Sequence, residues 1–204
     1  MREHLGVDVT ERVRGALLRD PNVTGVELVG SRAAGTENEL SDWDLRIEAV
    51  DIDDLIAALP SLTERLAPLA AQWDRLSERL VYMLILPGGI KVDLFPGDRR
   101  QAMAGPWDAH ADNLRAIDAH FWDWILWLAS KAQGGRTDVV HEELEKLSVN
   151  LLGPLGAAAA PASIADAVDQ YLALRTAAER TSGVAINPRL GDEVLARLRQ
   201  ERLA

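Results

Sequence analysis

Hydrophobic and polar positions alternate with two different periods along this chain, and the period changes about half-way. The N-terminal half mixes short apolar runs with helical stretches. Residues 8–19 carry Val9, Val13, Leu17 and Leu18 at helical spacing, with Asp8 or Thr10 as N-cap. Residues 23–29 form a β-branched apolar run, the composition of a buried strand. Gly30-Ser31 interrupts it, and residues 32–35 can open a helix before a polar loop, 36–41. A second strand starts at Asp42. Period-two alternation puts Asp42, Asp44, Arg46 and Glu48 on one face and Trp43, Leu45 and Ile47 on the other.

Further along, residues 51–59 read as a helix that Pro60 ends, and Ser61-Leu62-Thr63-Glu64 as a capping box opening a second short helix toward Ser77, with Pro68 able to kink it. Residues 80–86 and 90–95 are two strands around the turn Pro87-Gly88-Gly89, a hairpin. In the second of these, Lys91, Asp93 and Phe95 point one way and Ile90, Val92 and Leu94 the other. From Gly105 onward strand-like runs disappear. Helices are predicted over 112–133, 137–152, 163–181 and 191–203, with Gly134-Gly135 as a stop and an Ala-rich connector at 156–162. The expected fold class is α+β: a small mixed sheet with flanking helices in domain 1–103, then a helical bundle in domain 104–204. Phe121, Trp122, Trp124, Trp127 and Leu128 cover more than one face of their helix. They pack against other helices, or one of them stacks on a base or lines an acceptor pocket.

Composition narrows the function classes. Hydrophobic residues make up 48% and charged residues 26%, a normal soluble balance. No apolar run reaches membrane-spanning length and no charged-then-apolar leader opens the chain, so neither a span nor a signal peptide is expected. The chain has no cysteine, which removes disulfide frameworks and thiolate metal sites and suits the cytoplasm. Its four histidines are scattered without metal-ligand spacing. The 22 basic residues are outnumbered by 32 acidic ones, for a net charge of −10, and no Lys/Arg stripe is present. A nucleic-acid backbone is therefore an unlikely partner by charge, and a cationic one is favoured.

The chemistry-bearing stretch is Val29-Gly30-Ser31, ten residues (32 to 41), then Asp42-Trp43-Asp44-Leu45. Two carboxylates on one strand face repel each other unless a cation joins them, and hard divalent ions take such ligands together with waters or phosphates. A Gly-Ser turn lets a phosphate approach backbone N–H groups and a hydroxyl. An isolated Asp93 in an apolar strand is costly to bury.

This arrangement resembles the signature of the DNA polymerase β-like nucleotidyltransferase superfamily. The resemblance implies that Asp42, Asp44 and Asp93 form the metal-binding catalytic triad, with Asp98 the alternative third member. It implies two Mg²⁺ ions, and ATP as substrate held by Gly30, Ser31 and Arg32. The segment "FWDWILWLASKAQGGR" is similar to the helical domain of aminoglycoside nucleotidyltransferases, where Lys131 and Arg136 match positions that contact the triphosphate. The implied reaction transfers AMP to a hydroxyl of a small cationic acceptor, such as an aminoglycoside antibiotic, at a site in the cleft between domains. Glu142, Glu143, Asp118 and Asp123 are candidates for the general base. Alternatives of the same family are an antitoxin-type enzyme modifying tRNA or protein, and an inactive nucleotide-binding module.

Overall fold

The computed structural model describes residues 3–201, with side chains from residue 9 onward. Two compact units divide the chain. The first holds the residues up to Glu37 and Ser41–Met103; the second holds Asn38–Leu40 and everything from Ala104.

The first unit is built on a five-stranded mixed sheet: β1 (Val23–Val29), β2 (Trp43–Ala49), β3 (Ala70–Trp73), β4 (Tyr82–Leu86) and β5 (Ile90–Pro96). Spatial order is β1-β2-β5-β4-β3. Only the β2–β5 pair is parallel; the other three are antiparallel. A parallel pair cannot be joined by a tight turn, so the chain between β2 and β5 has to cross over. Part of that crossover is α3 (Ile52–Thr63), whose Asp51 N-cap accepts from the backbone N–H groups of Asp53 and Asp54. Together with α1 (Glu3–Leu17), it buries one face of the sheet. Val9, Val13 and Leu17 of α1 and Leu55 and Leu59 of α3 meet Leu45, Ile47, Leu84, Leu86, Val92 and Leu94 of the strands in one core. The opposite face carries a smaller apolar cluster, Val81, Met83 and Phe95 against Val29. That leaves it for polar side chains.

Three local expectations need correction. The first helix starts at Glu3, so Thr10 lies inside it rather than capping it, and the Asp8 side chain falls outside the described residues. Pro60 does not end α3. The helix runs on to Thr63 because Leu55, Leu59 and Thr63 are buried along one stripe, and tertiary packing outweighs the lost N–H. No second helix opens at Ser61, whose hydroxyl donates to the Ala58 carbonyl; one 3₁₀ turn, Glu64–Leu66, follows. The stretch read as helix toward Ser77 instead contains β3. Its sequence, AAQW, favours a helix by propensity, but backbone pairing with β4 from Ala70↔Ile85 to Trp73↔Tyr82 decides otherwise.

The second unit is helical: α4 (Leu114–Gln133), α5 (Thr137–Leu147), α6 (Ile164–Ser182) and α7 (Arg189–Gln200). The predicted helix over 137–152 changes character at Ser148, where a π-helical turn, Ser148–Leu152, takes over. The predicted fourth helix ends at Gln200, and residues 202–203 of that prediction lie outside the described part. Phe121 stacks on Tyr171 at 3.7 Å between ring centroids, and Trp122 meets the same ring edge-on. Phe121, Trp122 and Leu128 are fully buried, so these side chains serve packing. Trp122 also lies against Gly191, where a Cβ would sit 2.7 Å from its ring. The Asn38–Leu40 segment is tied to α4: the Asn38 amide donates to the Ser130 carbonyl at 2.8 Å, and the Leu40 N–H to the Gln133 side chain at 3.3 Å. Among the described residues no helix is long and apolar enough to cross a membrane.

Candidate active site

The polar face of the sheet gathers three of the predicted residues. Register sets two of them side by side: Asp44 of β2 is the direct partner of Asp93 of β5 across the parallel pair. Asp42 stands just before β2, on the same side by alternation. Each of the three half-buried side chains offers a carboxylate oxygen within 4.8 Å of the others. Asp98, the alternative third member, sits exposed in the turn after β5, as its Pro96-Gly97 neighbours dictate.

Gly30 belongs to this cluster for a steric reason. Val29 pairs with Asp44 across the β1–β2 ladder, which brings the next residue against the Asp44 side chain. A Cβ at Gly30 would stand 2.0 Å from Asp44 Oδ2 and 2.8 Å from its Cγ, and Gly30 has φ +71°. Glycine is required twice over, for the left-handed backbone and for the space the carboxylate fills. Three converging hard oxygen donors, one of them seated in a cradle that any side chain at Gly30 would obstruct, fit a divalent cation such as Mg²⁺.

Lys91 is a site residue that reasoning from sequence passed over. It is 5% exposed, and its Nζ lies 2.6 Å from Asp93 Oδ1. Strand alternation already placed the two on one face; the missing signal was that this face is partly buried. Beside the carboxylates a cavity of about 300 Å³ is lined by Val29, Gly30, Asp44, Arg46, Arg79 and Phe95. The Arg79 guanidinium lies 4.2 Å over the Phe95 ring, a cation–π contact that holds it across the face. Arg46 pairs with Glu27 at 2.8 Å, and that hydrogen-bonded charge raises its pKa. Arg79 precedes β4 and joins the site only through strand order, so no local pattern announces it.

The remaining predicted residues have other surroundings. Ser31 is the second residue of the five-residue α2 (Gly30–Ala34), whose N-cap is Val29, and no side chain caps it. Arg32 turns back on the chain: Nε and Nη2 donate to the Ser41 carbonyl at 3.1 and 2.6 Å, Nε also to that of Asp42 at 3.0 Å, and its guanidinium covers Trp43. These bonds tie Arg32 to the chain just before β2 and hold the approach to Asp42.

Lys131, Arg136, Asp118, Asp123, Glu142 and Glu143 all belong to the second unit. The Lys131 ammonium lies 4.8 Å over the Trp127 ring, and exposed Arg136 stands 3.7 Å from Asp138. Glu142 and Glu143 both pair with Lys146, whose pKa they raise, and Glu143 also accepts from Trp124 Nε1. Asp123 is buried. Asp118 is 3% exposed, and its Oδ1 accepts from Tyr171 (2.6 Å), Trp122 (3.2 Å) and Arg175 (3.4 Å). Burial raises its pKa against the lowering effect of those three donors. A carboxylate so enclosed is anchored in the packing of the helical unit.

No protein-family model matches the chain, and no curated protein does. Among solved structures, a chain of the GLD-2/RNP-8 complex is 15% identical over 62% of this chain and 39% of that one, with a TM-score of 0.38. A chain from the polymerase core of TRAMP, an RNA surveillance complex, is 12% identical over 98% of this chain and 58% of that one, with a TM-score of 0.39. This chain thus spans under two thirds of either, and likeness at that level carries no functional weight.

Proposed function

We propose that this protein is a divalent-metal-dependent nucleotidyltransferase that moves AMP from ATP to a hydroxyl and releases pyrophosphate. The observation that carries the reading is the convergence of Asp42, Asp44 and Asp93 beside Gly30 on one sheet face. Their spacing is also the one that resembles the DNA polymerase β-like superfamily. Bound Mg²⁺ would supply charge neutralisation at the transferring phosphoryl group and a lowered pKa for the acceptor hydroxyl. The three carboxylates would hold the metal. Gly30 keeps the space at Asp44 open, and the Ser31 hydroxyl donates to the triphosphate. Lys131 and Arg136 of the helical unit are proposed as further triphosphate contacts. In the reaction the acceptor oxygen bonds to the α-phosphorus as the bond to pyrophosphate breaks, and the hydroxyl proton passes to a carboxylate. Burial makes Asp118 and Asp123 poor choices for that proton, so Glu142 and Glu143 are the bases to test.

The acceptor has two readings, each resting on its own observation. The net charge of −10 favours a small polycation such as an aminoglycoside. The cavity itself, with Arg46 and Arg79 in its wall, favours an acceptor bearing phosphate, such as tRNA. Incubation with α-labelled ATP and Mg²⁺ alongside aminoglycosides, total tRNA or cell protein separates them. Label in an aminoglycoside supports the first, label in RNA the second. Label nowhere, with no ATP binding, would leave an inactive module and overturn the assignment.

A further inference from the structure

Lys91 occupies a place that a metal site has to reckon with. Its side chain is nineteen-twentieths buried at 5% exposure, and its ammonium sits 2.6 Å from one oxygen of Asp93. Asp93 is in turn the register partner of Asp44. A buried ammonium is retained only against a desolvation cost, so it must be held by negative charge close by. Here that charge belongs to the carboxylate cluster. Other cations near the cluster are held differently: Arg46 shares its charge with Glu27, Arg79 lies over the Phe95 ring, and Arg32 donates to the Ser41 and Asp42 carbonyls. Lys91 therefore offsets part of the field that would draw a divalent cation.

We propose that Lys91 is a positioning residue that keeps the resting site's affinity for divalent metal low, so that metal is taken up together with the nucleotide triphosphate. This rests on the nucleotidyltransferase reading. A divalent ion arriving alone must share Asp93 with a fixed positive charge only a few ångströms away, a direct repulsion in a partly desolvated site. A triphosphate supplies the missing negative charge. By linkage, whatever tightens the metal in its presence tightens the nucleotide equally in the presence of metal.

The test is Mn²⁺ titration by calorimetry, without nucleotide, on the whole protein. Lys91→Gln keeps a donor for Asp93 but removes the charge, and Lys91→Met removes both. Each folded variant should bind Mn²⁺ at least about tenfold more tightly than wild type. Lys91→Arg, which retains the charge, should stay within about threefold. Unchanged or weaker Mn²⁺ binding in Lys91→Gln would overturn the proposal, because Lys91 would then only orient Asp93. Failure of both neutral variants to fold while Lys91→Arg folds would overturn it too, making the ion pair structural. A repeat with a non-hydrolysable ATP analogue separates the two levels. Nucleotide-dependent Mn²⁺ uptake in wild type, with no tightening in Lys91→Gln, sinks only the role of Lys91. No uptake by any variant, with or without the analogue, sinks the nucleotidyltransferase reading itself.

Discussion

Each of the two units sets an aspartate beside a basic side chain, and the two aspartates are put to opposite uses. Asp118 of α4 meets Arg175 at 3.4 Å, and Asp93 of β5 meets Lys91 at 2.6 Å. Around Asp118 stand hydrogen-bond donors and an aromatic ring. Tyr171 and Trp122 point their polar hydrogens at it, and Phe121 stacks on the tyrosine. Around Asp93 stand two more carboxylates. A carboxylate enclosed by donors has its hydrogen-bonding capacity satisfied and contributes to a unique packing. Carboxylates crowded against one another keep a field that only a cation relieves. Asp118 is buried and Asp93 half-buried, and what the fold collects beside each carboxylate differs further still.

Exchanging the carboxylates for amides is the sharpest way to break that comparison. Asp44→Asn should lower nucleotidyl transfer by at least about 100-fold, since even outer-shell losses at metal sites cost 10–100-fold, and should leave the melting temperature within a few degrees. Asp118→Ala should do the reverse. Leaving Arg175 and Tyr171 without their acceptor should cost about 3 kcal/mol in urea unfolding, with turnover per folded molecule nearly unchanged. Swapped outcomes would mean that the two sites have been assigned the wrong way round.

Gly30→Ala sits between these extremes. The added methyl would press on Asp44 Oδ2 from 2.0 Å in a left-handed backbone, so both terms should move. Stability should drop by about 1–3 kcal/mol and turnover by at least about tenfold. A fully active variant would show that the Asp44 carboxylate does not depend on that space. Ser31→Ala should have a smaller effect. Because no cap bond is lost, melting should hardly change, while the KM for ATP should rise severalfold if the hydroxyl binds phosphate.

The smallest effect is one of pH. Burial raises the Asp118 pKa above the ordinary 3.8, so the folded protein holds that proton more tightly than the unfolded chain does. Stability from this group is therefore fully present below 3.8, declines as pH rises toward the raised value, and is level above it. Measured against Asp118→Asn, wild type should lose stability across that window. Parallel stability–pH curves for the two proteins would show that Asp118 titrates alike in both states.

Much of this was legible in the sequence, for particular reasons. The strand pattern placed Asp42 and Asp44 on a polar face and Lys91 and Asp93 on another, because a period of two is a strong signal in short apolar runs. The pairing that makes Asp44 and Asp93 neighbours joins strands about fifty residues apart by sequence number, and alternation alone cannot choose it. Lys91 was visible as a same-face residue but not as a buried one. Arg79 and Phe95 meet because β4 folds back on β5 and positions them beside one face. β3 was misread since alanine prefers helices when no partner strand is considered, and Pro60 since a ring that usually stops a helix is tolerated where a buried stripe continues. Asp118 was one of four candidate bases on the helices, and sequence hides the tyrosine 53 positions away that donates to it.

The central claim is that Asp42, Asp44 and Asp93 form a metal-dependent nucleotide site, and ATP titration by calorimetry with and without Mg²⁺ tests it most directly. The account predicts ATP binding that requires Mg²⁺ in wild type and is lost in Asp44→Asn with its fold intact. Binding that ignores Mg²⁺, or that persists unchanged in Asp44→Asn, would contradict it.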